Sequence, residues 1–561
     1  MKISKGNIIT FTGIWAYPLL LALFYLIAEQ LESDFAIPHI ITVIITYIAP
    51  LSFPITMTIT NIDRAKRGQT DFSLKSTLAI TPKTEKLSKA YREAAYPDVP
   101  DEYNFKVPTG FVIGTQRGKY ASCPVVKDGV NGFVIGTPGS GKSVLLLGWL
   151  YSMLYREELA AKANIEPLGR PFNFFLVDIK GELFERLLHC KASDYSADDH
   201  PDFQVVQPSN RLSFGWDVLY RCRENASETQ IIKATTDIAD ALVVETGNNP
   251  YFSDNAKKIL SGVLYYYVKE GWDFIPIIQK LMRTSFDALL TEIVSNAEEK
   301  GYGIVLDKLK GFVGKDDNES IQDVESTLKT YLEVFSYPDI QWCLHENPNK
   351  TSPAALNDGQ TSMDLAIEES MLTTYQPIFR LITMQMLRHC EAAFKEDDDR
   401  YTCLIFDEAA RIGKINGLDA AMATLRSRHT SLICLYQSIS QFRDIYPEQK
   451  AMTLLNLCEL KIFLSGAGDK DTSEYVSGMV GQYDVTKMSY KTRGVFGGKS
   501  DGQYSTERRD IVETKDLMEL REKGEAIAFI YGHYVRVKKL RYFEDSLLAP
   551  IIEKHKNEVI K

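Results

Sequence analysis

Two kinds of hydrophobic pattern divide the chain at about residue 70. Before that point, residues 8–28 and 36–62 contain no Asp, Glu, Lys or Arg, and each run is long enough to cross a bilayer as a helix. Positive residues flank both runs on the same side, at Lys2, Lys5, Arg64, Lys66 and Arg67. The pattern predicts a two-span transmembrane anchor within residues 1–70, with the N-terminus and the main body in the cytoplasm. A hairpin buried in a soluble core is the weaker alternative.

Beyond the anchor, short β-branched or aromatic runs alternate with helically spaced apolar residues. The predicted strands lie in "GFVIGTQRGKY", "NGFVIGTPGSGKS", "PFNFFLVD", "DFQVVQPSN", "YTCLIFDE", "TSLICLYQS", "ELKIFLSGAG" and "EAIAFIYGHYVRVKKLRYF". In the last of these segments, the lysines indicate a strand at the edge of the sheet, where charged side chains prevent pairing with other chains. Residues 225–350 have mostly helical spacing. Apolar strands alternating with helices predict an α/β fold with a mainly parallel sheet covered on both faces.

Composition and charge limit the possible classes of protein. A chain of 561 residues predicts two or three domains, and 45% hydrophobic with 25% charged residues is typical of a globular protein. The net charge of −10 argues against a chain coated in nucleic acid, although a basic channel remains compatible with it. None of the eight cysteines forms a C-x2-C pair, which favours reduced thiols over a zinc site.

A glycine-rich turn between a predicted strand and a predicted helix matches the motif G-x4-G-K-[ST]. Its residues are Gly136, Thr137, Pro138, Gly139, Ser140, Gly141, Lys142 and Ser143. Glycines let backbone N–H groups point at phosphate oxygens. The lysine reaches the β- and γ-phosphates, and the final hydroxyl is a ligand of Mg²⁺. The motif predicts binding of ATP and Mg²⁺.

Two apolar strands end in an aspartate that could complete the Mg²⁺ site. Asp407 ends "CLIFD" and is followed at once by Glu408, whereas Asp178 ends "FFLVD". A second carboxylate next to the metal ligand can polarise water for attack on the γ-phosphate, so the Asp-Glu pair favours a hydrolase. We therefore assign Asp407 to Mg²⁺ and Glu408 to the attacking water. Asp178 remains a possible accessory ligand, and a structural charge at a helix N-terminus is the alternative for Glu408.

Hydrolysis of this kind often uses a cation against the charge that develops on the γ-phosphate. Arg426 and Arg428 follow the Asp-Glu strand and its helix, at a position that suits an edge presented to a neighbouring subunit. Gln437 ends the strand "LICLYQ", where its amide could sense the γ-phosphate from between the two motif strands. Solvated arginines and a capping amide are the structural alternatives for these three residues.

The motifs "GTPGSGKS", "VDIKGEL", "FDEAARIGKINGL" and "YQSISQFRDIYP", in this order behind two predicted spans, resemble the type IV secretion coupling proteins. This is the TraG/TraD-like family of conjugative DNA-transfer ATPases, and the resemblance covers most of the chain, up to about residue 545. One departure is "DIKGE", in which Ile179 replaces the usual proline. The departure is mild, because the acidic and basic residues of the signature remain.

The resemblance implies an inner-membrane P-loop ATPase with a RecA-like motor domain and an inserted all-α domain. The domain boundaries that follow are 71–224 and 351–561 for the two parts of the motor and 225–350 for the insertion. The family's Walker A motif falls on 136–143 and its Walker B motif on Asp407 and Glu408. Its trans-acting arginine falls on Arg426, and its nucleotide-sensing glutamine on Gln437. The implied partners are single-stranded DNA with its relaxase, inner-membrane components of the secretion system, and further copies of the chain in a homo-hexamer.

Two further interpretations remain open from the sequence alone. The first is a nucleotide-regulated membrane receptor that recruits protein substrates to the secretion channel without ATP hydrolysis. The second concerns residues 487–509, which are basic, rich in glycine and contain aromatic side chains. Such a segment can follow a sugar-phosphate backbone and stack on bases, although an ordinary surface loop is equally compatible with it.

Overall fold

The structure is a computed structural model that describes residues 21–27, 29, 94–125, 128–168, 172–223, 225–244, 250–314, 319–393, 401–465, 469–489 and 503–559. Most of the two predicted membrane spans lies outside these residues. Residues 21–27 and 29, which fall in or next to the first span, are helical. Among the helices that the structure describes, none combines the length and the apolar character needed to cross a bilayer.

The strands, in chain order, belong to one large sheet and two small ones. They are β1 (Asn104–Phe105), β2 (Phe111–Gln116), β3 (Lys119–Cys123), β4 (Gly132–Ile135), β5 (Phe172–Asp178), β6 (Phe203–Val206), β7 (Gly215–Trp216), β8 (Lys350–Thr351), β9 (Ser362–Ala366), β10 (Tyr401–Phe406), β11 (Thr430–Tyr436), β12 (Leu460–Phe463), β13 (Gln482–Ser489), β14 (Gln503–Asp510), β15 (Glu525–Ile530) and β16 (His533–Lys539). In the described part of the chain the large sheet has 12 strands in the order β1-β3-β2-β16-β15-β12-β4-β11-β10-β5-β9-β6.

The helices cover both faces of this sheet or lie between its strands. They are α1 (Lys142–Leu154), α2 (Arg156–Ala163), α3 (Leu183–Leu188), α4 (Glu228–Leu242), α5 (Tyr251–Lys269), α6 (Phe274–Arg283), α7 (Phe286–Lys300), α8 (Gly303–Leu309), α9 (Glu319–Leu332), α10 (Pro338–Gln341), α11 (Leu372–Ala393), α12 (Leu418–Leu425), α13 (Ile439–Ile445), α14 (Glu448–Asn456), α15 (Lys470–Val480), α16 (Thr514–Lys523) and α17 (Leu548–Val559). The α/β prediction is confirmed.

The centre of the sheet is parallel, and both of its faces are buried. From β12 through β4, β11, β10, β5 and β9 to β6, every neighbouring pair is parallel. Successive side chains of a strand point to opposite faces. In β4, Phe133 and Ile135 join one hydrophobic core, whereas Val134 joins the other. Burial on both faces explains why these strands read as continuous apolar runs.

Most of the predicted helical segment lies between two strands that pair with each other. β7 and β8 form a short parallel ribbon, with Gly215 opposite Lys350, and helices α4 to α10 lie between them in the chain. Leu260 of α5 and Leu289 of α7 share one hydrophobic core with Phe406 of β10. The helices are therefore packed continuously with one face of the sheet. The boundaries 225–350 of a separate inserted domain stay a prediction.

Two strands differ from the sequence interpretation. β16 is an interior strand, because it pairs along its length with β15 and, at Lys538 and Lys539, with β2. Its lysines therefore do not protect an edge. β9 has no counterpart among the predicted strands, since Asp364 interrupts its apolar pattern. That aspartate is fully buried, faces the same core as Leu176 and Val205 on the flanking strands, and has no hydrogen-bond partner in the described structure.

β13 and β14 form a separate two-stranded sheet. An ion pair of 3.6 Å joins Arg508 on β14 to Asp484 on β13. The segment 487–509, predicted as a loop, is therefore strand at both of its ends. Residues 490–502 lie outside the described residues.

Candidate nucleotide site

The phosphate loop joins β4 to α1 in the order that the motif requires. Gly139 has φ 73° and Gly141 has φ 100°, a left-handed conformation that favours glycine. Gly136 is also constrained, because a Cβ there would overlap the hydroxyl of Ser140. Gly141 directly precedes the first residue of α1, so the free N–H groups of this helix begin at the loop. Turn and helix together form a concave anion site.

Lys142 is the first residue of α1, and its ammonium turns back over the loop. Its Nζ donates a hydrogen bond of 2.6 Å to the carbonyl of Gly136, and the residue is 8% exposed. Burial lowers the pKa of Lys142, while Asp407 and Glu408 act in the opposite direction. The three groups therefore interact in the folded chain, although 265 positions separate Lys142 from Asp407 in the sequence.

Asp407 directly follows β10, at the same end of the sheet as the loop. Its N–H donates 3.1 Å to the carbonyl of Val177 on β5, and its Oδ1 accepts 3.0 Å from the N–H of Glu408. Burial and the neighbouring Glu408 raise the pKa of Asp407 to about 6, with Lys142 opposing them. Its oxygens lie at the end of the sheet that carries the phosphate loop, where a cation ligand is needed.

Glu408 has φ 48°, an uncommon conformation for a residue with a side chain. Strained backbone of this kind is found where a side chain must be held in one direction. Its carboxylate is only 14% exposed and lies 3.8 Å from Lys180 Nζ and 3.8 Å from Arg411 Nε. Two cations thus face the residue that we assigned to the attacking water. The sequence analysis did not single out Lys180, although it belongs to the "DIKGE" motif.

Asp178 lies beside Asp407, because β5 and β10 are neighbours and Val177 is opposite Phe406. Its two oxygens accept N–H groups of the following turn, from Lys180 at 3.2 Å and from Leu183 at 2.6 Å. These bonds fix the turn before α3 and keep Lys180 next to the site. This geometry favours a structural role for Asp178 over that of an accessory metal ligand. Burial raises its pKa to about 7.

Gln437 follows β11, the strand between β4 and β10, as predicted. Its backbone N–H donates 2.9 Å to Oε1 of Gln441, and the preceding carbonyl of Tyr436 accepts from Gly136 at 3.1 Å. The strand is thus bonded directly to the start of the phosphate loop. The residue therefore lies at the carboxyl end of the sheet, between the two motifs.

Ser465 is a neighbour of the loop that the sequence analysis missed. It follows β12, is 2% exposed, and its Oγ contacts both the N–H of Thr137 at 3.2 Å and the hydroxyl of Thr137 at 2.7 Å. The signal was present in "FLSGAG", a strand that ends in serine and glycine. Without the strand order, however, nothing in the sequence places that strand beside β4.

Arg426 and Arg428 lie at the opposite end of the sheet. The carbonyl of Arg426 accepts 2.7 Å from the N–H of Gly129, ahead of β4, and its guanidinium pairs at 2.7 Å with Glu459, ahead of β12. Arg428 lies in the same turn, just before β11. The structure therefore does not bring either arginine to the phosphate loop of its own chain. A role at a nucleotide is open to them only across an interface between copies.

The hydrogen-bond donors and oxygen ligands of this site fit a nucleoside triphosphate with Mg²⁺. Ser140 is 3% exposed, and its hydroxyl has no hydrogen-bond partner in the described structure. This hydroxyl lies so close to Gly136 that a Cβ there would overlap it. A buried hydroxyl, backbone N–H groups and an ammonium are the groups that bind phosphate oxygens. Ser143 and Asp407 supply the hard oxygen atoms that Mg²⁺ prefers.

Comparison with known proteins identifies relatives along most of the chain. Residues 402–522 match the family model described as the TraM recognition site of TraD and TraG. The protein VirD4 of Rhizobium rhizogenes is 21% identical over 383 residues, which are 67% of this chain and 55% of that protein. The type IV secretion system-coupling protein VirD4 of Bartonella henselae is 22% identical over 369 residues, 63% of this chain and 56% of that protein. The chain resembles type IV coupling proteins.

Solved structures show the same fold. The plasmid coupling protein TrwB in complex with the non-hydrolysable ATP analogue ADPNP has a TM-score of 0.57 at 16% identity, covering 80% of this chain and 96% of that one. TrwB in complex with ADP and Mg²⁺ has a TM-score of 0.55 at 17% identity, covering 74% and 87%. The chain therefore has the fold of TrwB. It spans about half the length of the curated relatives that it matches.

Proposed function

We propose that this chain is an inner-membrane ATPase that couples a relaxase–single-stranded-DNA substrate to a type IV secretion channel and drives its translocation during conjugation. The observation that carries the proposal is that the phosphate loop with Lys142 follows β4 and that Asp407 and Glu408 follow β10, at the same end of a parallel sheet in which β11 lies between these two strands. The similarity to VirD4 and TrwB supports the conjugative role, and the match over residues 402–522 supports recruitment of a relaxosome partner of the TraM kind. A RecA-like motor with an inserted all-α domain is part of this proposal.

The residues of the site have separate tasks in ATP hydrolysis. The loop amides and Lys142 bind the β- and γ-phosphates. Ser143 and Asp407 would hold Mg²⁺, which would neutralise charge on the phosphate oxygens. Glu408 orients a water molecule and accepts its proton as the water oxygen attacks the γ-phosphorus. The bond between the γ-phosphorus and the β–γ bridging oxygen breaks at the same time, and ADP leaves. Gln437, between the two motif strands, donates a hydrogen bond from its side-chain N–H to the γ-phosphate.

The position of Arg426 supports an assembly in which the site is completed by a second copy. Phosphate loop and Arg426 lie at opposite ends of one sheet, so a head-to-tail contact brings the arginine of one subunit to the loop of the next. A homo-hexamer anchored by residues 1–70 in the inner membrane is the assembly we propose. In it, the basic segment 487–509 is our candidate for contact with DNA.

The experiment is ATP hydrolysis by the full chain in detergent, with and without single-stranded DNA. Lys142→Ala is the blank, and Glu408→Gln separates binding from hydrolysis, because the amide cannot accept the proton. We expect DNA to stimulate turnover, more strongly at higher protein concentration. We also expect Glu408→Gln to bind ATP while losing at least about 100-fold in kcat, the usual contribution of a general base.

A nucleotide-regulated receptor for protein substrates gives a different result. In that case Glu408→Gln supports DNA transfer between cells as well as the wild type does, because no hydrolysis is needed. Normal transfer by Glu408→Gln would refute the motor and leave the receptor. Hydrolysis that is unaffected by DNA would refute DNA as the direct stimulus.

A further inference from the structure

The end of the sheet opposite the phosphate loop carries an ion pair whose two members differ in exposure. Arg426 follows α12, and Glu459 directly precedes β12. Nη1 of Arg426 donates a hydrogen bond of 2.7 Å to Oε1 of Glu459. The arginine side chain is 43% exposed, whereas the glutamate side chain is only 14% exposed. The carboxylate therefore lies in the body of the subunit, and the guanidinium reaches the surface.

The second oxygen of Glu459 is also held by the fold. Oε2 accepts 3.0 Å from the N–H of Asn131, directly before β4, the strand whose other end leads into the phosphate loop. Asn131 is 1% exposed, and its Nδ2 donates 2.8 Å to the carbonyl of Met422 on α12 and 3.1 Å to that of Leu457. Each oxygen of the Glu459 carboxylate thus has a donor, and one of these donors belongs to a residue that is bonded to the helix before Arg426.

The main chain of Arg426 is held as closely as its side chain. Its carbonyl accepts 2.7 Å from the N–H of Gly129. A Cβ on Gly129 would overlap the carbonyl of Thr430 and lie 3.1 Å from the Cα of Arg426, so the backbone segments are in direct contact. Nε of Arg426 is buried and has no hydrogen-bond partner in the described structure. The base of the guanidinium is therefore enclosed, and its direction depends on the pair with Glu459.

Positioning of the guanidinium explains this pair better than stability does. An ion pair with a half-exposed arginine contributes little to the free energy of unfolding, because solvent screens it and a long side chain loses freedom on pairing. A guanidinium has several N–H donors in one plane, so a carboxylate bound to one nitrogen leaves others for a phosphate. An arginine that is already held in one direction loses less freedom when it meets that phosphate.

We propose that Glu459 is a positioning residue for ATP hydrolysis in the assembled protein. It holds the guanidinium of Arg426 toward the γ-phosphate bound by the next copy, and it does not contact the nucleotide itself. The inference rests on the proposed function, in which Arg426 acts across an interface between copies. Asn131, through its bond to Oε2, keeps the Glu459 carboxylate in place for this task.

The test measures ATP hydrolysis by the full chain in detergent, at a protein concentration at which the wild type is assembled. Glu459→Gln is the informative variant, because its amide oxygen can still accept the N–H of Asn131 while the charge that holds Arg426 is gone. We expect kcat to fall about 10- to 100-fold, since a displacement of about 1 Å at a reacting centre can cost about 100-fold. KM for ATP should stay within about twofold, and ADP binding by the unassembled chain should not change.

A double-mutant cycle with Arg426→Ala separates positioning from a general structural role. If Glu459 acts only through Arg426, adding Glu459→Gln to Arg426→Ala lowers kcat no further, whereas a structural defect would add to the loss. Glu298→Gln is the matched control. It removes an ion pair of 2.8 Å with Lys310, on helices that lie between β7 and β8 in the chain, and should keep the wild-type kcat.

The outcomes separate this inference from the proposed function. If Arg426→Ala is impaired, a wild-type or higher kcat in Glu459→Gln would overturn the inference and leave the trans arginine intact. Additive losses in the double variant would also overturn it, as would loss of the oligomer in Glu459→Gln. If Arg426→Ala itself kept the wild-type kcat, the trans arginine of the proposed function would be wrong, and the role of Glu459 would fall with it.

Discussion

Replacing Asp364 by asparagine should change how the stability of the protein depends on pH. Asp364 lies on β9, between β5 and β6, and its carboxyl is fully buried against apolar neighbours without a hydrogen-bond partner in the described structure. Burial, and in addition the nearby Asp178, raises the pKa of Asp364 well above its ordinary value. The folded chain therefore keeps a proton on Asp364 at a pH at which the unfolded chain has released it.

The magnitude follows from proton linkage. A carboxyl with a raised native pKa contributes stability below the ordinary value of about 3.9, and this contribution is lost as pH rises toward the native pKa. Each pH unit in that interval lowers the free energy of unfolding by about 1.4 kcal/mol for one such group. Between pH 5 and pH 7 the loss from Asp364 therefore cannot exceed about 2.7 kcal/mol. Asparagine is nearly isosteric and does not titrate, so this part of the pH dependence disappears.

The assay is thermal unfolding of wild type and Asp364→Asn, followed by intrinsic fluorescence at pH 5 and at pH 7. For a cooperative unit on the order of 400 residues, about 2.7 kcal/mol corresponds to roughly 3 °C in Tm. We expect the difference in Tm between variant and wild type to grow in favour of the variant from pH 5 to pH 7, by up to that amount. Groups far from Asp364 titrate alike in both proteins and cancel in this difference, which therefore reports Asp364 together with its neighbour Asp178. An unchanged difference would refute a protonated, buried Asp364.

Three further predictions concern the site and its support. Lys142→Ala should abolish ATP hydrolysis while leaving Tm within about 2 °C, because the loss is one of phosphate contacts; a variant with wild-type turnover would exclude Lys142 from the site. Arg426→Ala should lower kcat of the assembled protein by about 10³-fold or more, with nucleotide affinity of the isolated chain unchanged. If Arg428→Ala loses that activity and Arg426→Ala does not, the assignment is reversed. Gly129→Ala should destabilise by about 2 kcal/mol or more in thermal melts, because its Cβ would overlap the carbonyl of Thr430. Gly311→Ala, which meets open space, should not.

Site residues that belong to a local motif next to a strand could be predicted from the sequence. Gly136 to Ser143 needed only a strand before and a helix after them, and Asp407 needed only an apolar run that ends in a carboxylate. Both signals are local, because the chemistry depends on neighbours along the chain. The strands themselves were equally predictable where both of their faces are apolar, as in β10 and β11.

The parts that were missed depend on contacts between distant segments. Lys539 looked like an edge lysine, since nothing local shows that β2 pairs with its strand on the other side. Arg521 carries no motif, and only the fold brings its guanidinium next to Gly139 of the loop. Asp364 concealed a strand because a buried, unpaired carboxyl breaks the apolar pattern from which strands are predicted. Each miss reflects tertiary structure that overrides a local rule.

The order of strands in the sheet also determines when the molecule can be completed during synthesis. In the described sheet, β2 near the start of the body and β12 in its second half are joined through β16 and β15, which are synthesised after both of them. Until then a nascent chain carries two open strand edges, which are prone to pair with other chains. Lys539 reaches the carbonyl of Ser140 at the same late moment. The contact of β16 with the phosphate loop therefore forms only after β16 has been synthesised, long after the loop itself.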